Sequence, residues 1–199
     1  TSAATTRLHG IIEDDFNTEL RYRIAPQPTL STFAPAADVL TLGTFSTLLS
    51  RELAAGYVVA SPATVARLKE VRGILGMPVA TVTQRAIASL LHGGVVRRNT
   101  RAVHRALAQR RQVLQACLVP LFDDACLAPG DGADLTVQFS SRLARDAFET
   151  RLLEAGIECG HESSLWTVGG DGLVFVLRIV SDGDFTRAVD IIGQTIHPY

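Results

Sequence analysis

Short apolar runs, each closed by polar or turn residues, open the chain. Gly10-Ile11-Ile12 stops at Glu13-Asp14-Asp15, and Val39-Leu40-Thr41-Leu42 stops at Gly43-Thr44-Phe45-Ser46. Tyr57-Val58-Val59-Ala60 stops at Ser61-Pro62. Such runs predict strands buried on both faces, and their separation predicts crossover connections within an α/β layer. Between the first two runs, Pro26, Pro28 and Pro35 sit without helical period, which reads as a loop.

Helical spacing follows. Ser61-Pro62 pairs a capping hydroxyl with a proline at the first helical position. The helix it opens carries Val65, Leu68, Val71 and Ile74 and stops at Gly76-Met77-Pro78. A second helix covers residues 82–91 and ends at Gly93-Gly94. A third covers residues 96–118: Val96, Val103, Leu107, Leu114, Leu118 and Leu121 recur at spacings of three, four and seven, which marks one buried stripe.

The texture changes after Pro129-Gly130-Asp131-Gly132. Leu135-Thr136-Val137-Gln138-Phe139 alternates like a half-exposed strand, and residues 141–155 read as a helix closed by Gly156. Residues 157–159, 165–168 and 173–180 read as strands and residues 185–195 as a last helix, with Asp182 or Asp184 near its start. The sum is an α/β part followed by a smaller α+β lobe, without internal repeat.

Composition narrows the class. The chain has 199 residues, 47% apolar and 20% charged, with a net charge of -1. That excludes a disordered chain and supports a real core. No apolar run reaches the ~18 residues of a membrane span, and no basic-then-apolar leader opens the sequence. Cys117, Cys126 and Cys159 form no close pair, so a reducing, cytoplasmic setting is expected. Of the 19 basic residues one is lysine, Lys69, which leaves 18 arginines. Any chemistry needing an amine nucleophile has a single side chain to use.

Charge is unevenly placed. No acid lies between Glu70 and Asp123, whereas eight arginines do, six of them from Arg97 to Arg111. Such a helix either binds nucleic acid or presents the solvated face of an amphipathic helix. Arg97, Arg101 and Arg105 lie away from the apolar stripe. No interleaved aromatics or recognition motif accompany them, which favours the solvated face. The five histidines are scattered without metal-ligand spacing, so no metal is expected. No Ser-His-Asp set or phosphate-cradling glycine loop occurs.

Residues 11–60 carry a resemblance. Ile12-Glu13-Asp14-Asp15-Phe16-Asn17-Thr18-Glu19-Leu20-Arg21-Tyr22 resembles the segment that ends a central strand in the aminotransferase-like domain of MocR-type regulators. These are bacterial GntR-family transcription regulators related to fold-type-I enzymes that use pyridoxal phosphate. Leu42-Gly43-Thr44-Phe45-Ser46-Thr47, followed by Gly56-Tyr57-Val58-Val59-Ala60, resembles the family's cofactor-lysine motif and the next strand. The arginine-rich helix and Leu177-Arg178-Ile179 follow in the family's order, so the likeness spans nearly the whole chain.

The resemblance implies a partial pyridoxal-phosphate-transferase-like large domain over residues 1–95, a long connecting helix over 96–128 and a small α+β lobe over 129–199. It implies that Asp14 faces a pyridine nitrogen, that Thr44 and Ser46 face a phosphate, and that Arg178 grips a substrate carboxylate with a two-pronged contact. The positions of the ring tyrosine, the Schiff-base lysine and a phosphate arginine hold Phe16, Thr47 and Ala54. A hydroxyl cannot form an imine, so covalent attachment is lost at Thr47. Lys69, beside Glu70, reads as a surface lysine. Read as residues alone, Asp14 is more simply a turn cap, and Arg178 equally the partner of a structural acid.

The expectation is therefore a non-catalytic effector-binding and dimerisation domain with no bound cofactor. Its ligand is a small carboxylate or amino-acid-like molecule. The alternative is a pyridoxal-phosphate-dependent aminotransferase or a fragment of one. The strands and the DNA-binding module that precede this region in the family are absent from the chain. DNA contact is accordingly expected through a domain outside it, and a homodimer or other homo-oligomer is expected to cover the exposed sheet, with the long helix in the interface.

Overall fold

The computed structural model describes residues 10–15, 18–23, 28–35, 37–76, 79–121, 127, 130–160, 171–178 and 180–195. The chain divides into two compact units, one of residues 1–20 and 25–103 and one of residues 21–24 and 104–199.

In the first unit three strands form one sheet: β1 (Ile11–Asp15), β2 (Val39–Thr44) and β3 (Gly56–Val59), in that order. β1 and β2 are parallel, with Ile11 opposite Val39 and Asp15 opposite Gly43. β3 runs antiparallel to β2, which corrects the expectation of crossovers throughout. Residues 45–55 leave too little chain for the dozen or more residues that a parallel connection takes. The proline-bearing loop also holds one short helix, α1 (Leu30–Phe33).

Burial on both faces is likewise corrected. Val39 and Thr41 are buried, while Ile12 is 73% exposed and Val59 59%. β1 alternates in the manner of a sheet with one solvated face. The core of this unit gathers Leu20, Val39, Leu48, Ala55 and Ile87.

Helices α2 (Pro62–Leu75) and α3 (Thr81–His92) follow. Ser61 accepts from the Thr64 amide at 3.2 Å, Pro62 occupies the first turn, and Gly76 closes α2 at φ 62°, a left-handed conformation that glycine adopts without cost. The long helix α4 (Val95–Leu118) begins in this unit and ends in the second.

In the second unit β4 (Asp134–Phe139) and β5 (Asp171–Val176) form an antiparallel pair, with α5 (Arg142–Glu154) and α6 (Asp182–Thr195) completing the lobe. Ser141 caps α5 by accepting from the Ala144 amide, and Ser181 caps α6 through the Asp184 amide. The apolar stripe of α4 delivers Leu107, Leu114 and Leu118 to a core shared with Leu135, Val137, Phe148, Leu152, Leu173, Leu177 and Ile192.

Two strand expectations change here. Residues 157–159 form no strand; the neighbouring Gly160 makes a single bridge to Val174. β5 stops at Val176, one residue before the Leu177 amide, which still donates to the Ala133 carbonyl at 2.7 Å in register with the ladder. Residues 165–168 lie outside the described residues.

Position 111 interrupts the stripe. Arg111 is fully buried and donates through Nη2 to the Asp134 carbonyl, while its Nε has no partner among the described residues. No spacing rule anticipates an arginine there.

Truncating this core should cost what a well-packed leucine costs. Leu118→Ala is expected to lose ~2–5 kcal/mol of unfolding free energy in a urea titration. Leu143→Ala, at a site 81% exposed, is expected to change it by less than ~0.5 kcal/mol.

Candidate functional site

Parallel strands present their ligand-binding groups beyond their carboxyl ends. β1 and β2 reach that end together, with Asp14 opposite Leu42 and Asp15 opposite Gly43. The two-residue period puts Asp14 on the face of Ile12, Leu40, Leu42 and Thr44. The neighbouring acids are committed elsewhere. Glu13 accepts from the Leu30 amide at 3.0 Å and the Thr41 hydroxyl at 2.9 Å. Asp15 accepts from the Thr18 amide at 3.3 Å. Asp14 is exposed and, alone of the three, forms no hydrogen bond or ion pair among the described residues.

Thr44 begins a loop held from several sides. Its hydroxyl donates to the Ala55 carbonyl at 3.5 Å and accepts from the Ser46 amide at 3.1 Å. The Phe45 amide also donates to Ala55, and Asn99 of α4 donates its side-chain amide to the Leu48 carbonyl. Leu48 is buried, whereas Thr44, Ser46 and Thr47 are half-buried. The loop returns to β3 through Ala54, whose φ of 43° is the left-handed region that a non-glycine residue enters at a cost.

The opposite face holds a group that sequence reading missed. Gly43 carries no side chain, and the Tyr57 ring lies across it; a Cβ there would meet the ring at 2.2 Å. Tyr57 also tilts against Phe45, with ring centroids 5.1 Å apart. Burial, then the charges of Glu19 and Asp15, push the Tyr57 phenol above its ordinary range. Burial, then Asp15, push the Glu19 carboxyl up as well. The Gly-Tyr placement across two strands was the available signal, but only the register brings the pair together.

Arg178 belongs to the second unit. The sequence placed it inside an apolar strand; it sits two residues beyond the end of β5, half-buried. Burial raises the carboxyl of Asp134, and the positive charges of Arg111 and Arg178 act in the opposite direction. A structural acid thus lies within the electrostatic reach of Arg178. Phe16 falls outside the described residues.

Neither described thiol is an activated nucleophile. Burial and Glu149 push Cys159 up to about 12, and burial and Asp190 raise Cys117. Among the described residues no cluster of three or more metal-ligating side chains occurs, and no helix is long and apolar enough to cross a membrane.

Comparison with known proteins decides the lineage. The HTH-type pyridoxine biosynthesis transcriptional regulator PdxR of Corynebacterium glutamicum is 37% identical over 167 residues, covering 83% of this chain and 36% of that protein. The probable rhizopine catabolism regulatory protein MocR of Rhizobium meliloti is 29% identical over 135 residues, covering 67% and 27%. The chain belongs to the aminotransferase-like domains of MocR/PdxR-type regulators.

Solved structures agree on the fold. The α-aminoadipate aminotransferase LysN of Thermus thermophilus, complexed with a phosphopyridoxyl-leucine, superposes with a TM-score of 0.71 at 21% identity, covering 93% of this chain and 49% of that one. The kynurenine aminotransferase of Pyrococcus horikoshii gives 0.74 at 17%, covering 93% and 47%. No family model matches. This MocR/PdxR-type chain spans about a third of the curated relatives and about half of the solved aminotransferases.

Pyridoxal phosphate, the group these folds imply, supplies an electron sink once a lysine holds it as an imine. In this chain the loop over residues 45–55 contains no lysine, and Lys69 is exposed on α2. The Thr44 hydroxyl is already engaged within the loop. The donor set does not fit a covalently held cofactor.

The Asp15-Glu19-Tyr57 arrangement has a measurable consequence. Asp15→Asn should lower the pH at which Tyr57 ionises, because one of the negative charges opposing the phenolate is removed. Ultraviolet difference titration against Tyr57→Phe checks this; an unchanged midpoint would contradict the geometry.

Proposed function

We propose that the chain is a non-catalytic effector-binding and dimerisation domain of a GntR/MocR-type transcriptional regulator. The observation that carries the reading is Thr47 at the lysine position, in a loop that otherwise keeps its ties to Ala55 and Asn99. An alcohol cannot condense with an aldehyde to an imine, and the one amine side chain, Lys69, stands on a solvent-exposed helix. The framework of the site is kept while the group that performs chemistry is replaced.

The ligand in this reading is a small carboxylate or amino-acid-like molecule. Asp14, without a partner among the described residues, attracts an ammonium or a protonated ring nitrogen. Thr44 and Ser46 offer hydroxyls at the loop. In its own unit, Arg178 is the candidate for a carboxylate, since its neighbour Asp134 has Arg111 as a second counter-charge. No cofactor is required. The DNA-reading function belongs to a part of the regulator outside this chain, and the assembly is a homodimer that covers the solvated sheet face.

Isothermal titration with a panel of amino acids and small carboxylates tests the reading. At least one compound should bind, and Asp14→Asn should weaken it about tenfold to a hundredfold, as removal of one charged hydrogen bond worth ~1.5–3 kcal/mol requires. Keto-acid formation from an amino acid with added pyridoxal phosphate would overturn it.

A further inference from the structure

Helix α4 holds six arginines and no acid. Two are spent inside the lobe. Arg111 is buried against the Asp134 carbonyl, and Arg110 pairs with Asp182 and donates to the Leu177 carbonyl. The other four, Arg97, Arg98, Arg101 and Arg105, are exposed, and none has an ion pair among the described residues. At about 100° per residue they share an arc of about 100°, turned away from Leu107, Leu114 and Leu118. Arg97, Arg101 and Arg105 follow one another at about 6 Å of helical rise.

The two at the start converge. A Cβ on Gly94 would lie 3.8 Å from Nη1 of Arg98 and 4.0 Å from Nη2 of Arg97, so both guanidiniums fold back over one glycine. Arg98 has a local return, a 3.2 Å bond to the Gly93 carbonyl. Arg97 and Arg101 have none among the described residues. Cations in the first turn oppose the helix dipole, and like charges four residues apart repel. A merely solvated helix face would mix signs. Local rules broken without a structural return mark a functional surface.

We propose that the Arg97-Arg98-Arg101 ridge, extended along the same helix by Arg105, is a phosphate-contacting surface for duplex DNA. A DNA strand offers a dense line of acidic groups, one phosphate per ~3.4 Å of rise, and guanidiniums gathered on one helix face, two of them over the same glycine, suit that density of negative charge. The row lacks the aromatic side chains that hold single strands by stacking. The contacts go to the backbone and read no bases, so the ridge holds DNA beside a site chosen elsewhere. With a net charge of -1, the whole chain is not attracted to DNA; segregation of charge into this ridge is what produces binding. The proposal is independent of the effector reading, and either can fail alone.

The test is fluorescence anisotropy of a labelled mixed-sequence duplex with the 199-residue chain across a salt series. Affinity should fall steeply with salt. The triple variant Arg97→Ala/Arg98→Ala/Arg101→Ala should bind at least ~10-fold more weakly at low salt, with the log–log slope flattened by ~0.9 for each phosphate no longer neutralised. The corresponding triple Lys variant, which keeps the charge and guards against a folding defect, should retain binding. Arg142→Ala/Arg187→Ala, elsewhere on the surface, should leave it unchanged. No binding by the unaltered chain, equal binding by the triple Ala variant, or binding only to an acidic peptide would overturn the proposal.

Discussion

The parallel pairing of β1 with β2 is the constraint on which the candidate site depends. Its register, Ile11 against Val39 through Asp15 against Gly43, decides which of three consecutive acids faces which way. A slip of one residue would exchange faces along the whole strand. It would turn Asp14 toward the side now held by Glu13 and Asp15, and separate Glu13 from the Thr41 hydroxyl it accepts from. The antiparallel return of β3 then fixes the loop, because Thr44 at the end of β2 and Ala55 at the start of β3 share hydrogen bonds. Gly43 allows the Tyr57 ring to lie across the sheet, closing the other face.

Much of this was legible where a residue carries its own physical instruction. Ser61-Pro62, Gly76 and Ser141 cap helices as their chemistry requires, and the stripe of α4 delivers Leu107, Leu114 and Leu118 to a core. Asp14 and Thr44 fall near the same end of neighbouring strands, as the motif order implied. What failed was non-local. An apolar run does not declare its direction, so β3 came out antiparallel. Nor does it declare what covers it, so Ile12 and Val59 are exposed. Arg178 appeared to lie within a strand because Leu177 and Ile179 are apolar, but β5 stops at Val176 and the in-register bond from Leu177 to Ala133 carries the pairing only one residue further. Arg111, buried where the stripe calls for an aliphatic residue, is legible only once Asp134 is known to lie against it.

The arginines of α4 show how one helix divides its charges by position. Arg111 and Arg110 are consumed by carbonyls and an acid of the lobe, while Arg97 and Arg101 face solvent with no partner among the described residues. The aminotransferase-like framework is retained in the same manner around Thr47. Its loop remains anchored by Asn99 and Ala55, although an alcohol stands where the imine-forming amine would be. In the reading proposed above, fold and loop geometry outlast the reactive group, as in a scaffold reused for binding.

The central claim is that no nitrogen of this chain holds pyridoxal in an imine. The most direct test mixes the folded chain with one equivalent of pyridoxal phosphate, reduces with borohydride and maps the peptides by mass spectrometry, beside a Thr47→Lys variant that restores the amine. The account predicts no stoichiometric pyridoxyl adduct on the natural chain and an adduct at position 47 in the variant. A stoichiometric adduct on the natural chain, at Lys69 or elsewhere, would contradict it.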